Sequence, residues 1–462
     1  MFRKVLIANR GEIALRILRA CRDLGIRSVV AYSEADRDTL AVRLSDEAVC
    51  IGPAPAARSY NNIPAIISAA TLTGCDALHP GYGFLAESPS LPEVCRACNL
   101  TYIGPRESVI AQMGDKAAAR RSMKRAGIPI MPGTEDPVSD PQQAREAARL
   151  IGYPVLIKAV AGGGGRGMRI AHDERELLAS LSVAQSEART AFGNGAVYIE
   201  RYLESPRHVE VQVLADEYGH VLALGERDCS LQRRYQKVME ESPAPLLSSK
   251  LRENLQKAAV KGAKAIGYTN AGTFEFLVGD DDKFYFTEAN TRIQVEHPVT
   301  ELVTGIDLVK WQVRIAAGEP LSFSQKQVRP HGHAVEVRIT AEDPRADFQP
   351  SAGPITDVIL PGGPGIRVDS HLYPGYVMPP YYDSLLAKII AWGETRAEAM
   401  ERLRRALAET VIAGIESTLD FQEHLLADEL VNQGHVSTTY VAQLMESFRA
   451  SASSDSLAPA GD

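Results

Sequence analysis

The sequence predicts an α/β protein that begins with a doubly wound parallel sheet and continues into α+β domains. Over about the first 110 residues, short apolar strands alternate with amphipathic helices, the pattern of a parallel sheet. The region from there to about residue 330 mixes short strands, hairpins and helices. The length of 462 residues is enough for about three domains.

The N-terminal elements follow one another as strand, helix and strand. Residues 3–9 are predicted as a buried strand, and Ile13, Ile17, Cys21 and Leu24 repeat on one face of the helix that Gly25 ends. Further elements are predicted at 28–32, 48–51, 62–73, 76–80 and 101–104. Parallel sheets bind ligands beyond the carboxyl ends of their strands. Residues 9–12 and 79–83 lie at two such ends.

Composition excludes several classes of protein. With 45% hydrophobic and 23% charged residues the chain is globular, and a net charge of −8 argues against nucleic-acid binding. No apolar run reaches the ~18 residues of a membrane helix, and Asn9 interrupts the N-terminal apolar stretch too early for a signal peptide. Six cysteines, with Cys95 and Cys98 as a lone pair in a helix, indicate reduced thiols. We expect a cytoplasmic protein.

A glycine-rich loop follows the strand 154–158, which ends at Lys158. Residues 162–167 match G-x-G-x-x-G, but a second strand follows at 168–170 instead of the helix that a dinucleotide fold requires. Because glycines have no side chain, the backbone N–H groups of such a loop can surround phosphate oxygens. Lys158 can neutralise the negative charge of the phosphate. The alternative is a flexible surface turn.

A predicted hairpin carries two carboxylates. Strands 273–278 and 284–290 pair so that Glu275 and Glu288 lie side by side, with Asn290 on the face of Glu288. Two carboxylates and an amide oxygen suit Mg²⁺ or Mn²⁺. The alternative is a solvated polar face, which fits residues 280–282 of the turn better.

Polar residues continue after the hairpin. If residues 291–296 stay extended, one cleft is lined by Glu288, Asn290, Arg292, Gln294 and Glu296. This line suits an anionic substrate activated by a phosphoryl donor, with Glu296 as general base. In the basic segment 226–237, Lys237 is the most useful point charge for an anion. The alternatives are a surface strand and nucleic-acid binding.

The last section is α+β. After His331, strands separated by Gly/Pro turns lead to an amphipathic helix over 395–410, and the residues from 451 onwards have the composition of a disordered tail.

Taken together, the motifs resemble the biotin carboxylase family of ATP-grasp enzymes, from Lys4 to about Leu444. The stretches that carry the resemblance are Lys4–Glu12, His79–Glu87, Gly162–Met168, Arg207–Gln212, Glu226–Lys237, Gly272–Phe276, Asn290–Glu301 and Glu336–Pro344. The resemblance implies an N-terminal domain over 1–114, an ATP-grasp domain over 115–330 with a mobile lid at about 131–203, a C-terminal domain over 331–447 and a tail over 448–462.

The resemblance also implies roles for individual residues. ATP would be bound by Lys116, Lys158, Gly164, Gly165, Glu200, Arg201, Leu203, His208, Gln232, Tyr235, Glu275 and Glu288. Two Mg²⁺ or Mn²⁺ ions would be held by Glu275, Glu288 and Asn290, and bicarbonate by Lys237, Arg292, Gln294 and Val295. Biotin would contact Tyr82 and Arg338. The catalytic groups would be Glu296 as base with Arg292, Lys237 and Arg338. The sequence departs from the family at Tyr235, where His is usual, and at Ala289, where Met is usual.

The implied activity is ATP-dependent carboxylation of biotin by bicarbonate through carboxyphosphate, as in the first half-reaction of acetyl-CoA carboxylase in fatty acid synthesis. No Met-Lys-Met biotin attachment motif occurs, so we expect a separate biotin carboxyl carrier protein and carboxyltransferase, and a homodimer. The alternatives are a component of a pyruvate or propionyl-CoA carboxylase, a different ATP-grasp ligase and a nucleotide-sensing subunit.

Overall fold

Three main sheets organise the chain in the order that the sequence predicts. The computed structural model describes residues 1–159, 168–192, 195–279 and 281–455. A five-stranded parallel sheet comes first, then a three-stranded antiparallel sheet, and an eight-stranded antiparallel sheet spans the rest. The predicted combination of a doubly wound start with α+β domains is confirmed.

The parallel sheet has the strand order β3-β2-β1-β4-β5. Its strands are β1 (Lys4–Ile7), β2 (Arg27–Tyr32), β3 (Glu47–Cys50), β4 (Ala77–His79) and β5 (Thr101–Tyr102). The accompanying helices are α1 (Gly11–Asp23), α2 (Leu40–Leu44), α3 (Ile63–Leu72), α4 (Ser90–Ala97) and α5 (Glu107–Gly114). Ile13, Ile17 and Cys21 of α1 are buried, as their spacing predicts. All six cysteines are free thiols.

The three-stranded sheet and its two helices form a unit of their own, which we call the small-sheet unit. Its elements are α7 (Pro141–Ile151), β6 (Val155–Ala159), β7 (Met168–Ala171), α8 (Glu174–Phe192) and β8 (Val197–Arg201), preceded by α6 (Lys116–Arg125). Strand β6 pairs antiparallel with both β7 and β8, so the predicted hairpin around the glycine loop is confirmed. The glycines at 162–167, including Gly164 and Gly165, lie outside the described residues.

The eight-stranded sheet has the order β13-β12-β9-β10-β11-β14-β21-β19. Its first five strands along the chain are β9 (Arg207–Ala215), β10 (Val221–Arg233), β11 (Gln236–Ser242), β12 (Asn270–Val278) and β13 (Phe284–Asn290). The later strands of the chain are β14 (His333–Thr340), β15 (Glu342–Asp343), β16 (Gln349–Pro350), β17 (Gly353–Pro354), β18 (Asp357–Ile359), β19 (Ile366–Ser370), β20 (Val377–Met378), β21 (Leu385–Gly393) and β22 (Val411–Ala413). The remaining helices are α9 (Ser249–Ala265), α10 (His297–Thr304), α11 (Leu308–Ala316), α12 (Arg396–Ala408), α13 (Leu419–Ala427), α14 (Glu429–Gln433) and α15 (Tyr440–Asp455).

Pairing between β11 and β14 makes this sheet continuous from the middle of the chain to its last third. Met239 pairs with Val337, and Glu240 pairs with Glu336. Met239 and Val337 enter a large apolar core beneath the sheet. Glu240 and Glu336 therefore point to the opposite face, because neighbouring residues of a strand alternate in direction.

The tail predicted as disordered is wrong for residues 448–455. Helix α15 continues to Asp455, because Leu444, Met445 and Phe448 pack into the core and anchor its apolar face. Residues 456–462 lie outside the described residues. In the described part of the chain, no helix combines the length and apolar character needed to cross a membrane.

Candidate active site

One cavity of about 1770 Å³ opens between the small-sheet unit and the eight-stranded sheet. Every described residue that the sequence assigned to a site lines it. They are Tyr82, Lys116, Lys158, Glu200, Arg201, Leu203, His208, Gln232, Tyr235, Lys237, Glu275, Glu288, Asn290, Arg292, Gln294, Val295, Glu296 and Arg338. Residues from the three-stranded and eight-stranded sheets, from α6 and from several loops thus meet at a single place.

The carboxylate hairpin brings the two predicted carboxylates together, across a β-bulge at Thr287. Glu275 of β12 pairs with Glu288 of β13. Asn290 donates to Glu275 Oε1 at 2.7 Å, so the amide lies beside the Glu275 carboxylate. The negative charge of Glu275 is the main cause that raises the pKa of Glu288. Such a pair of carboxylates beside an amide fits a hard divalent cation, which would relieve their repulsion.

His208 stands on the other side of Glu275. Its Nε2 lies 2.9 Å from Glu275 Oε2, and its Nδ1 lies 2.5 Å from Gln232 Nε2. Burial alone would lower the pKa of His208, but the charge of Glu275 and the hydrogen bond to it together outweigh burial and raise that pKa. The imidazole therefore presents Nε2 to Glu275, while the amide of Gln232 faces its Nδ1.

The alternation of polar residues after the hairpin predicted an extended strand, and this prediction is wrong. Strand β13 ends at Asn290, the next residues are irregular, and α10 begins at His297 with Glu296 as its N-cap residue. Pro298 in the first helical turn explains the change, because its fixed φ favours a helix start. The polar side chains still converge, by folding back along the chain.

Arg292 and Gln294 fold back over the hairpin. Arg292 donates to Asn290 Oδ1 at 3.1 Å, and its Nε lies 3.2 Å from Glu87 Oε2. Gln294 donates to Glu275 Oε1 at 3.2 Å. A guanidinium and a side-chain amide thus stand within reach of the carboxylate hairpin.

Lys237 joins three carboxylates at the floor of the cavity. Its Nζ lies 2.5 Å from Glu296 Oε1, 2.6 Å from Glu210 Oε2 and 3.3 Å from Glu275 Oε1. Burial alone would lower the pKa of Lys237, but these three charges raise it well above its ordinary value. The lysine is a fixed positive charge for an anion.

Glu296 is shared between Lys237 and Arg338. Its second oxygen lies 3.0 Å from Arg338 Nη2, and the carboxylate is fully buried. Burial alone would raise the pKa of Glu296, but the charges of Lys237 and Arg338 hold it well below its usual range. The carboxylate is therefore ionised, as a general base must be.

Tyr82 approaches from the parallel sheet. Its hydroxyl donates to Glu12, and Glu12 pairs with the buried Lys388 at 3.0 Å. Lys388 also donates to the carbonyl of Val295 at 2.8 Å and so fixes the segment that leads to Glu296.

The small-sheet unit contributes Lys158 and Glu200. Lys158 Nζ lies 3.3 Å from Glu200 Oε2, and Arg120 of α6 donates to Glu200 Oε1 at 2.9 Å. Glu200 therefore connects the small-sheet unit to α6. Tyr235, in the turn between β10 and β11, is largely exposed at the cavity rim.

Sequence reasoning missed several buried charges of the site. Glu210 binds Lys237, and Arg227 holds the other oxygen of Glu210 at 2.6 Å. Glu12, Glu240 and Lys388 are equally buried. Glu12, Glu210 and Arg227 lie inside stretches that carried the family resemblance, which was the signal available. Glu240 and Lys388 lie outside those stretches.

Profiles of three families match consecutive parts of the chain. They are the biotin carboxylase N-terminal domain over residues 1–110, the carbamoyl-phosphate synthase L chain ATP binding domain over 115–324, and the biotin carboxylase C-terminal domain over 336–443.

Similar proteins cover almost the whole chain. Biotin carboxylase 1 of Bacillus subtilis is 55% identical over 96% of this chain and 98% of its own length. The crystal structure of a biotin carboxylase–β,γ-ATP complex from Campylobacter jejuni superposes with a TM-score of 0.91 at 47% identity, covering 96% of this chain and 99% of that one. The structure of Rhizobium etli pyruvate carboxylase superposes with a TM-score of 0.88 at 41% identity, covering 96% of this chain and 41% of that longer one.

Proposed function

The chain belongs to the biotin carboxylase family, and from this premise we propose that it carboxylates biotin with bicarbonate and ATP. It is an ATP-dependent carbon–nitrogen ligase, with ATP, Mg²⁺ or Mn²⁺ and biotin as its cofactors and substrates. The observation that carries the proposal is the buried Glu296 carboxylate between Lys237 and Arg338. This arrangement provides a base and two cations at one point of the cavity.

Bicarbonate activation is the first step. Lys237, Arg292, Gln294 and Val295 bind the anion, and Glu296 accepts its proton. A bound anion competes with Glu296 for the charge of Lys237, which weakens the ion pair and makes Glu296 more basic. The bicarbonate oxygen then forms a bond to the γ-phosphorus of ATP as the bond to the ADP oxygen breaks, which gives carboxyphosphate.

Lys116 and Lys158 neutralise the phosphate oxygens during this transfer. Glu275, Glu288 and Asn290 would hold the divalent ions, which when bound disperse charge on the ATP phosphates. Lys158 must leave Glu200 to reach a phosphate, so we propose that movement of the small-sheet unit accompanies ATP binding.

Biotin carboxylation follows. Carboxyphosphate breaks into CO₂ and phosphate, the phosphate takes the N1′ proton of biotin, and N1′ forms the bond to CO₂. Arg338 stabilises the negative oxygen of the ureido group, and Tyr82 contacts the ring. Both side chains line the cavity that holds Glu296.

We propose a division into domains at 1–114, 115–330 and 331–447, which the three family matches support. We further propose a homodimer that works with a biotin carboxyl carrier protein and a carboxyltransferase. A related biotin carboxylase domain of 2-oxoglutarate carboxylase is described as a dimer. Six free thiols support a cytoplasmic location.

For the final acceptor we propose acetyl-CoA, as in fatty acid synthesis. The match over 98% of the Bacillus subtilis biotin carboxylase supports it. Mixing the carboxylated carrier with the transferase that co-purifies with this chain should give malonyl-CoA from acetyl-CoA. Carboxylation of pyruvate instead would contradict this assignment.

The central test is bicarbonate-dependent ATP hydrolysis with and without free biotin. We expect stimulation by biotin in the presence of Mg²⁺. Glu296→Gln should abolish turnover, by a factor on the order of 10² or more, while nucleotide affinity survives. Hydrolysis that biotin does not stimulate would refute the proposal, and near-normal turnover of Glu296→Gln would remove this residue as base.

A further inference from the structure

Two buried carboxyl groups lie directly behind Glu296, outside the residues that the reaction uses. Glu240 of β11 and Glu336 of β14 are cross-strand partners, and both are fully buried. Directly opposite residues of an antiparallel pair point to the same face, with Cβ atoms about 5 Å apart. Two ionised carboxylates so placed would repel each other in a medium of low dielectric.

Two cations lie diagonally from this pair. Arg338 forms an ion pair with Glu240, and it also faces Lys388 across the β14–β21 ladder. Lys388 is engaged by Glu12 at 3.0 Å and by the carbonyl of Val295 at 2.8 Å. Among the described residues, no group donates a hydrogen bond to either oxygen of Glu240 or of Glu336, so the ion pair with Arg338 is what distinguishes Glu240 from Glu336.

The carboxyl groups in this region outnumber the cations. Glu240, Glu296 and Glu336 share Arg338, while Lys388 pairs with Glu12. Of two other nearby cations, Lys237 divides its charge among Glu210, Glu275 and Glu296, and Arg227 is engaged by Glu210. A buried carboxylate without a counter-ion is costly, so one group takes up a proton.

The groups that face the pair come from every element packed against it. They are Cys229 of β10, Lys237 of β11, Glu296 before α10, Arg338 of β14 and Lys388 of β21. Burial is the main cause that raises the pKa of both carboxyls. It raises that of Glu240 to about 7 and that of Glu336 well above its ordinary value.

We propose that Glu240 and Glu336 hold one proton between them, carried by Glu336, so that Glu240 stays ionised and positions Arg338 for biotin. Arg338 then has one carboxylate on the substrate side, Glu296, and one behind it. When bicarbonate draws Glu296 away, Glu240 keeps the guanidinium in place. This inference rests on the proposed function, and Glu240 is a positioning residue.

Three isosteric variants test the proposal. Glu240→Gln removes the rear partner of Arg338. Glu336→Gln replaces a neutral carboxyl by a neutral amide. Glu241→Gln is the matched control, because Glu241 follows Glu240 on β11, points to the opposite face and is also buried against an arginine, Arg396, at 2.7 Å.

The readout is the pH profile of kcat/KM for biotin. Glu240→Gln should lower kcat/KM roughly tenfold to a hundredfold, because Arg338 is no longer held in position. It should also move the acid limb to lower pH, because the loss of a negative charge makes Glu296 less basic. Glu336→Gln should stay within about twofold of the wild type with an unmoved acid limb. Glu241→Gln should change neither kcat/KM for biotin nor the position of the acid limb, even if the variant protein is less stable than the wild type.

Two results would overturn the proposal. An unchanged profile in Glu240→Gln would show that Glu240 does not position Arg338, and an acid limb displaced equally in Glu336→Gln would show that Glu336 is ionised. Infrared spectroscopy gives a readout that needs no activity. At mildly alkaline pH, above the pKa of about 7 of Glu240, a protonated carboxyl band should be present in the wild type and in Glu241→Gln, and lost in Glu336→Gln. Failure of wild-type ATP hydrolysis would refute the proposed function while this band still tests the shared proton.

Discussion

At the scale of single residues, the cavity is organised by shared cations. Lys237 serves Glu210, Glu275 and Glu296, and Arg338 serves Glu240 and Glu296. Glu296, the proposed base, is therefore held by two cations, Lys237 and Arg338, which an anionic substrate can also attract. Binding of an anion changes the basicity of the base without any movement of the backbone.

The carboxylate hairpin gives a prediction about metal binding. Glu288→Gln should weaken Mn²⁺ binding at least about tenfold, because an amide replaces one of the two carboxylates that face each other. Titration followed by the electron paramagnetic resonance of free Mn²⁺ measures this.

The control lies in the same hairpin. Asp281 is exposed in the turn and pairs with Lys283, so Asp281→Asn should leave the Mn²⁺ affinity unchanged. Equal affinity of Glu288→Gln and the wild type would remove Glu288 as a ligand.

Individual residues were predictable where local spacing carried the signal. Glu275 and Glu288 belong to one hairpin, so their strands were predictably adjacent, although a β-bulge at Thr287 sets the register that places the two carboxylates opposite each other. Glu240 and Glu336 are separated by a helix, a hairpin and two further helices, and only strand pairing brings them together. A glutamate inside a strand gives no sign in the sequence of which strand it will face.

At the scale of elements, the link between α6 and the small-sheet unit determines how Lys158 is presented. Arg120 and Lys158 both bind Glu200. Arg120 also donates to the carbonyl of Met131 at 3.0 Å, where the chain leaves for the small-sheet unit. Arg120 thus fixes β8 against α6. The ion pair of Lys158 with Glu200, at 3.3 Å, is longer than that of Arg120 with Glu200, at 2.9 Å.

Arg120→Gln should raise KM for ATP about threefold to tenfold with little change in kcat. Without Arg120, Glu200 keeps Lys158 more tightly, and ATP must displace it. Steady-state kinetics with varied ATP at saturating bicarbonate and biotin give both constants.

Lys124 provides the comparison, because it lies one turn further along α6 and forms an exposed ion pair with Glu135. Lys124→Gln should leave KM for ATP unchanged. A similar rise in both variants would show a general effect of charge on the helix instead of a specific hold on Glu200.

The run from Arg292 to Glu296 shows the limit of pattern at this scale. Alternation of polar residues predicted one extended line, but the chain turns and starts α10. The residues reach the cavity nonetheless, because the turn brings Glu296 back to Lys237. The elements on either side were predictable from periodicity, whereas the irregular connection depends on contacts with Glu87 and Glu275 from distant parts of the chain.

At the scale of the whole molecule, buried ion pairs join regions far apart in sequence. Arg16 of α1 binds Glu301 of α10 at 2.9 Å, and Arg367 of β19 binds the other oxygen of Glu301 at 2.7 Å. Lys388 of β21 binds Glu12 of α1. The parallel sheet is therefore tied by charge to the eight-stranded sheet.

Lys388→Met should lower the free energy of unfolding by roughly 3–5 kcal/mol, because it leaves the buried Glu12 without its counter-ion. Urea denaturation followed by circular dichroism measures the change.

The pH dependence of this defect has a definite sign. The charge of Lys388 lowers the pKa of Glu12, which burial raises, so the variant binds a proton on Glu12 more readily in the folded state. The free energy of unfolding of the variant should therefore approach that of the wild type as the pH falls from about 7 to about 5. The exposed Lys283→Met should show little change at any pH. A constant difference across this range would contradict the pairing with Glu12.

The β11–β14 ladder has a consequence for how the chain can be divided. Although family profiles end and begin between residues 324 and 336, the sheet runs across that boundary. A fragment that stops at residue 330 would present β11 as an open edge with unpaired N–H and C=O groups, together with the apolar side chains of Val238 and Met239. Such an edge recruits other strands. The nucleotide-binding half is thus not a detachable module, and an attempt to produce it alone should give aggregates instead of a minimal ATPase.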